Sequence, residues 1–134
     1  MFSMYMARNQ KGKPGTEPVV FVVDDEQMLL DLAEMILKPA GFSVRTFQDP
    51  RKALAEYAVA APKVFITDYA MGSLNGLEVI VACRQLHPDQ KIIMVSGTVD
   101  ESIYANSEIK PDFFIAKPYD PHHLISTVRK LAEG

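Results

Sequence analysis

Residues 19–26 read VVFVVDDE, an apolar run that passes directly into three acidic side chains. A second run, KVFIT at residues 63–67, passes into Asp68 in the same way. Near-continuous apolar runs of this length are typical of strands that are buried on both faces of a parallel sheet. We therefore expect two central strands whose carboxyl ends carry clustered carboxylates.

Runs with strand character alternate with helix-period segments along the rest of the chain. We predict strands at residues 19–23, 42–47, 63–67, 91–95 and 113–116. Five such alternations imply right-handed crossovers and a parallel sheet with helices on both faces. The run at 42–47 alternates apolar residues with Ser43 and Arg45, which favours an edge strand. The predicted fold is α/β, a flavodoxin-like doubly wound sheet of five parallel strands in the order 2-1-3-4-5 with five helices.

The helices differ in how clearly the sequence marks them. Residues 49–50 and 120–121 are both Asp-Pro, a capping carboxylate followed by a proline suited to the first helical position. We interpret Met28 and Met35, in the first helix, as packing residues. The segment 99–110 carries few apolar residues and is followed by a proline. We therefore expect the fourth helix to be short or irregular.

Composition limits the size and location of the protein. The chain has 134 residues, 48% of them hydrophobic, enough for one domain but not for two. We expect a flexible N-terminal arm at residues 1–17 and one folded domain at residues 18–134. A net charge of -3 without long charged blocks gives no footprint for nucleic acid or an anionic membrane. One cysteine and no apolar run of spanning length suggest a cytoplasmic protein.

The residues that follow the predicted strands are all polar or charged. In an open parallel sheet, ligands bind outside the carboxyl ends of the strands. Three carboxylates, a hydroxyl and an ammonium group should converge there, and a hard cation such as Mg²⁺ would compensate the negative charge. The residues are Asp24, Asp25 and Glu26 after the first strand, Asp68 after the third, Ser96 after the fourth, and Lys117 with Pro118 after the fifth.

Each of these residues also has a purely structural interpretation. Asp24 or Asp25 could cap the following helix, and Asp68 could begin an Asx turn. Ser96 could be a turn residue and Lys117 a surface charge. Singly, the structural interpretation is the more common one, but it does not explain why four strand ends together supply the groups that phosphoryl transfer needs.

The ordered set of motifs resembles the receiver domains of two-component signalling. The resemblance runs from about Pro18 to the C-terminus. It rests on Asp24-Asp25, on Asp68 followed by Met71 and Asn75-Gly76, on Ser96-Gly97, and on Lys117-Pro118. It implies a response regulator that takes a phosphoryl group onto Asp68 from a histidine kinase, a histidine phosphotransfer protein or a small acyl phosphate.

The resemblance also implies how the acidic cluster works. Asp25 and Asp68 would bind Mg²⁺, or Mn²⁺ in its place, directly and together with the backbone carbonyl of Ala70. Asp24 would act mainly through water. Lys117 would form a salt bridge to Asp68 or to the phosphoryl group.

The remaining implied roles concern the switch. Ser96 would hydrogen-bond the phosphoryl group, and Phe114 would be the aromatic side chain that turns inward as Ser96 moves. An ordinary strand residue is the competing interpretation of Phe114. The peptide bond before Pro118 would be cis, and Ala70 and Thr98 would tune the access of water and thus the phosphoryl lifetime.

The sequence departs from the family pattern near the switch. Gly72 and Gly97 replace a usual proline and a common alanine. The Gly-Ala pair expected before the fifth strand is absent from residues 106–111. The surface formed by the fourth helix, fifth strand and fifth helix should therefore differ from the usual one.

Two other functions compete with the receiver interpretation. An aspartate-nucleophile phosphohydrolase would carry its nucleophile after the first strand as Asp-x-Asp, whereas Asp24 and Asp25 are adjacent. A docking module without phosphotransfer would lack an acid or the lysine. We expect a protein that catalyses only its own phosphorylation and dephosphorylation and then acts on an unknown output protein or domain. Dimerisation is open, and no contact with nucleic acid or membrane is expected.

Overall fold

The computed structural model describes residues 16–134, so the predicted arm at residues 1–17 lies almost entirely outside the described residues. The elements follow one another as strands and helices in the predicted alternation. They are β1 (Val19–Val23), α1 (Gln27–Leu37), β2 (Ser43–Phe47), α2 (Pro50–Val59), β3 (Val64–Asp68), α3 (Gly76–Leu86), β4 (Lys91–Ser96), a 3-10 helix (Glu101–Tyr104), β5 (Phe113–Ala116) and α4 (Pro121–Glu133).

The five strands form one parallel sheet in the order β2-β1-β3-β4-β5. The predicted fold and strand order are therefore confirmed. All of β3 and four of the five residues of β1 are buried, because helices cover both faces of these central strands. β2 lies at an edge, and none of its five residues is fully buried, in agreement with its alternating sequence.

The core consists of one apolar layer on each face of the sheet. Helices α1 and α4 pack on one face and helices α2 and α3 on the other. The first layer includes Leu30, Ala33 and Leu37 from α1 and Leu124, Val128 and Leu131 from α4. The second includes Ala53 and Tyr57 from α2 and Val79, Ile80 and Cys83 from α3. The two layers hold the strands in register, and so hold their carboxyl ends together.

The helix starts agree with the capping signals in the sequence. Asp49 and Asp120 each accept a hydrogen bond from the backbone N–H two residues later. Asn75 and Glu78 form a reciprocal capping box at the start of α3. The first helix departs from the sequence interpretation, because Met28 and Met35 are 80% and 73% exposed rather than packed.

The described residues contain four α-helices rather than the predicted five. The segment at 99–110 forms only the 3-10 helix Glu101–Tyr104, in which Tyr104 alone is buried. One apolar anchor cannot hold an amphipathic helix against the sheet, since most helical stability comes from packing. The fourth helix is short, as expected, but it is a 3-10 helix and not an α-helix. No helix in residues 16–134 is long and apolar enough to cross a membrane.

Gly76 begins α3 where the helix passes closest to the end of β3. A Cβ atom added there would lie 2.9 Å from the Asp68 carbonyl oxygen, 2.9 Å from Met94 Sδ and 3.1 Å from Tyr69 Cα. Two of these neighbours are backbone atoms, which cannot rotate away. Glycine at this position therefore lets α3 pack against the strand end that carries Asp68.

We predict that Gly76→Ala destabilises the protein by about 1–3 kcal/mol, the usual penalty for overpacking a close contact. Gly97→Ala is the matched control, because its Cβ would meet only Lys117 Cβ at 3.5 Å, an ordinary contact. Its stability should stay within about 0.5 kcal/mol of the native value. Urea unfolding of the two variants measures both effects. Equal stability of the two variants would contradict the close packing at Gly76.

Candidate functional site

The carboxyl ends of β1 and β3 bring three acids together. Asp24 and Asp25 follow β1, and Asp68 is the last residue of β3. Each offers one carboxylate oxygen, and the three oxygens lie within 4.8 Å of one another. Asp24 and Asp68 are 3% and 5% exposed, whereas Asp25 is open to solvent. The cluster is therefore two buried carboxylates with one exposed carboxylate at the rim.

Lys117, directly after β5, reaches into this cluster. Its Nζ lies 2.7 Å from Asp24 Oδ2 and 3.1 Å from Asp68 Oδ1. The Lys117–Pro118 peptide bond is cis. The Lys117 N–H donates to the Ser96 carbonyl at 2.9 Å, which ties the lysine backbone to the end of β4. One ammonium group thus pairs with both buried carboxylates.

The charges in the cluster shift the pKa values of its members. Burial, and then the negative charge of Asp24, raise the pKa of Asp68, and the contact with Lys117 offsets this only in part. Burial by itself would lower the pKa of Lys117, but its contacts with Asp24 and Asp68 outweigh burial and raise it. Lys117 therefore stays protonated near neutral pH, while the carboxylate of Asp68 is in an environment that would favour further positive charge.

The donor set suits a hard divalent cation. Three carboxylates supply oxygen ligands only, the type that Mg²⁺ prefers, and no softer ligand lies among them. The carboxylate of Asp25 makes no hydrogen bond or ion pair with residues 16–134, so it is available as a ligand. Ala70 pairs with Asn75 in an isolated antiparallel bridge, which gives the loop after β3 a defined shape beside the acids. The residues present therefore fit the magnesium site that the sequence implied.

Ser96, the last residue of β4, is 1% exposed and organises the next loop. Its Oγ accepts hydrogen bonds from the backbone N–H groups of Thr98 and Val99, both at 3.1 Å. The Thr98 Oγ1 atom lies 3.3 Å from the same oxygen, and Thr98 itself is exposed. Because one hydroxyl holds two loop amides, a movement of Ser96 would move the loop with it.

Phe114 lies in the middle of β5 and is half-buried. Its ring centroid is 6.5 Å from that of Tyr104, the buried anchor of the 3-10 helix. The predicted switch aromatic is thus next to the loop that begins at Ser96. Tyr104 was not among the predicted site residues, although its position as a lone aromatic residue in a weak segment was a signal.

Tyr119 is a second residue near the site that was not among the predicted site residues. Burial, and then the charge of Asp24, raise the pKa of its phenol, while Lys117 lowers it. The ring packs against the apolar layer under α1 and α4. Its place directly after Lys117-Pro118 could have indicated that it adjoins the acids.

The sequence is similar to known proteins across the region that contains the three acids, Ser96 and Lys117. The model of the response regulator receiver domain family matches residues 20–129. The nitrogen assimilation regulatory protein NtrX of Azorhizobium caulinodans is 32% identical over 118 residues, which are 85% of this chain and 26% of NtrX. The transcriptional regulatory protein CreB of Escherichia coli is 30% identical over 116 residues, 84% of this chain and 49% of CreB. The chain thus spans about a quarter to a half of these relatives.

Solved structures also share the fold of this chain. A putative response regulator from Chloroflexus aurantiacus superposes with a TM-score of 0.81 at 24% identity, covering 88% of this chain and 99% of the other. The chemotaxis protein CheY4 of Vibrio cholerae superposes with a TM-score of 0.79 at 25% identity, covering 86% and 98%. The fold is therefore shared over almost the whole length of both structures.

We predict that Mg²⁺ stabilises the protein through Asp25. At ten times its Kd, a ligand that binds only the folded state adds about 1.4 kcal/mol to stability, which raises Tm by a few degrees. Asp25→Asn should lose most of this gain, because it removes the exposed carboxylate. Asp89→Asn, at an exposed acid in the turn before β4, should keep it. Thermal unfolding with and without Mg²⁺ measures the difference, and an equal gain in both variants would refute the assignment of Asp25.

Proposed function

The chain belongs to the family of response regulator receiver domains, and on that basis we propose that it is a phosphorylation switch in a two-component phosphorelay. Asp68 accepts a phosphoryl group from a phosphohistidine donor in a magnesium-dependent step, and the phosphorylated state is read by a partner. The observation that carries the proposal is the ammonium of Lys117 paired with Asp24 and Asp68 at the edge where the strands end.

Asp68 is the nucleophile in this proposal. One of its carboxylate oxygens forms a bond to phosphorus, and the bond between phosphorus and the imidazole nitrogen of the donor breaks. The electron pair of that bond stays with the imidazole, which takes up a proton. Bound Mg²⁺, held directly by Asp25, Asp68 and the Ala70 carbonyl and mainly through water by Asp24, would supply positive charge to the phosphoryl oxygens. Hydrolysis of the acyl phosphate by water returns the carboxylate and releases inorganic phosphate.

Lys117 and Ser96 bind the transferred group. Lys117 Nζ, now shared between two carboxylates, can exchange one of them for a phosphoryl oxygen without leaving the site. The Ser96 hydroxyl donates a hydrogen bond to another phosphoryl oxygen and moves toward it. Because the same oxygen accepts hydrogen bonds from Thr98 and Val99, the loop follows, and Phe114, whose ring now lies 6.5 Å from that of Tyr104, turns inward. This sequence of contacts carries the state of Asp68 to the surface around β5.

We propose that the protein is a switch and not a turnover enzyme. Its reaction is the loading and clearing of its own Asp68. In this proposal the exposed side chains of Ala70, two residues after Asp68, and Thr98, beside Ser96, control the approach of water and hence the lifetime of the acyl phosphate. Hydrolysis of a general phosphomonoester such as p-nitrophenyl phosphate should therefore stay at background.

The proposed donor is a histidine kinase or a histidine phosphotransfer protein. An exposed apolar stripe on α1 begins one turn after Asp25 and consists of Met28, Leu32 and Met35, which are 80%, 40% and 73% exposed. Its spacing of four and three residues suits the packing of another helix. Because Asp68 is buried at the same rim, a protein that delivers a phosphoryl group to it must cover the neighbouring start of α1. We propose that the donor packs on this stripe.

The proposed function requires a partner that responds to the phosphorylated state. Relatives such as the transcriptional regulatory protein CreB extend well beyond the matched region. The output of this chain is accordingly an unknown protein or an additional domain, and dimerisation is one form that the readout could take. We propose a cytoplasmic location for the exchange, in line with the free and buried thiol of Cys83.

We predict a magnesium-dependent mass gain of one phosphoryl group, about 80 Da, when the protein is incubated with acetyl phosphate. Asp68→Asn should abolish the gain, because the amide is not a nucleophile. Asp89→Asn, at a distant exposed acid, should retain it. Intact-mass spectrometry reads all three proteins. A gain that persists in Asp68→Asn, or no gain in the native chain, would refute Asp68 as the phosphoacceptor.

We predict that the double variant Met28→Ser/Met35→Ser accepts phosphoryl groups about ten-fold more slowly from a protein donor, since exposed apolar anchors carry much of the energy of such interfaces. The probe is whichever purified, autophosphorylated histidine kinase of a panel labels the native chain fastest. Labelling by acetyl phosphate should be unchanged, because this small donor needs no docking. Val59→Ser, at an apolar side chain that is 87% exposed on α2, is the control. Unchanged kinase transfer in the double variant would refute the docking face.

A further inference from the structure

The three acids of the cluster are held in different ways. The carboxylates of Asp24 and Asp68 are both paired with Lys117. Asp25 is exposed, and its carboxylate has no hydrogen bond or ion pair within the described part of the chain. Among residues 16–134, only its backbone restricts where this carboxylate can reach. Any group that holds the backbone of Asp25 therefore narrows the range of positions open to its carboxylate.

The end of β2 holds that backbone at two consecutive residues. The Phe47 carbonyl accepts a hydrogen bond from the Asp24 N–H at 3.1 Å. The Gln48 side chain reaches further, and its Nε2 donates to the Asp25 carbonyl at 3.2 Å. The first bond joins two backbone groups. The second is donated by a side chain and so depends on the residue at position 48.

The Asp25 carbonyl lies just outside α1. The first carbonyl to accept bonds from the helix is that of Glu26, which takes the N–H groups of Leu29 at 3.0 Å and Leu30 at 3.2 Å. Asp25 therefore gets no support from the helical pattern. Gln48, from the neighbouring strand end, takes the place of that support.

We propose that Gln48 is a positioning residue for the metal site, and that its amide orders the Asp25 backbone for cation binding. This inference rests on the proposed function, because it concerns the magnesium site of that function. The bond is exposed, so its loss should barely change the stability of the fold. The freed loop must instead be ordered when the cation binds, and partners that orient metal ligands affect metal affinity in this way.

The test measures Mg²⁺ affinity of the unphosphorylated protein by isothermal titration calorimetry. Gln48→Met keeps the length of the side chain and removes the donor. We expect its Kd for Mg²⁺ to rise about 3-fold to 10-fold, with the urea midpoint in EDTA unchanged. Faster hydrogen exchange of the amides at residues 24–26 should accompany the loss.

The matched control is Thr46→Val, two residues earlier in β2. It removes a side-chain hydrogen bond of similar length, which Thr46 Oγ1 donates to Glu34 Oε1 at 3.3 Å. This bond does not involve Asp24, Asp25 or Asp68. Its Mg²⁺ affinity should stay at the native value. Native-like affinity in Gln48→Met, or an equal loss in Thr46→Val, would overturn the role of Gln48. An absence of Mg²⁺ binding to the native chain would instead refute the magnesium site of the proposed function.

Discussion

The ammonium of Lys117, lying between the buried carboxylates of Asp24 and Asp68, is the interaction on which the rest of the site depends. Two like charges about 4 Å apart repel by about 4 kcal/mol at an effective dielectric constant near 20. Without an internal cation, burial and the negative charge of Asp24 would raise the pKa of Asp68 further, because the contact with Lys117 lowers it. Lys117 compensates part of the negative charge, and the remaining negative charge favours a second cation.

The sheet places the lysine where it is needed. Asp68 pairs in register with Val95, and Ser96, the next residue of β4, pairs with Ala116 of β5, directly before Lys117. The three strand ends are therefore staggered neighbours along one edge. The two apolar layers keep them in this order, and the close approach of Gly76 to the end of β3 draws the loop after Asp68 inward. Tight packing beneath the site therefore holds the strand ends, and the side chains that they carry, close together.

The surroundings of the site are less tightly built. One hydroxyl, that of Ser96, organises the start of the loop after β4, and one aromatic side chain, that of Tyr104, anchors its 3-10 helix. The other exposed part is the loop after β1, where the Gln48 side chain at the end of β2 holds the Asp25 carbonyl and the Asp25 carboxylate has no partner among residues 16–134. The switch proposed for this chain would need such regions, because segments with few buried contacts change conformation at a small free-energy cost. The site thus combines rigid strand ends with loosely held loops.

The sequence by itself determined the fold and selected the candidate site residues. The apolar runs at 19–23 and 63–67 are too continuous for a half-exposed strand, and alternation with helical segments admits few topologies, so the order of the strands could be predicted. The acids, the serine and the lysine could be selected because strand ends meet at one edge. The sequence also indicated that segment 99–110 is weak, since apolar spacing is a local property.

Only the tertiary structure decided which of these groups touch. That Lys117 pairs with Asp24 as well as Asp68, that Tyr104 supports Phe114, and that Gln48 holds Asp25 are contacts between residues far apart in the chain. The exposure of Met28 and Met35 was likewise decided by packing, because a helix turns its apolar residues toward whichever neighbours the fold supplies. Spacing along the chain defines directions within one element, but distances between elements follow from how the whole core packs.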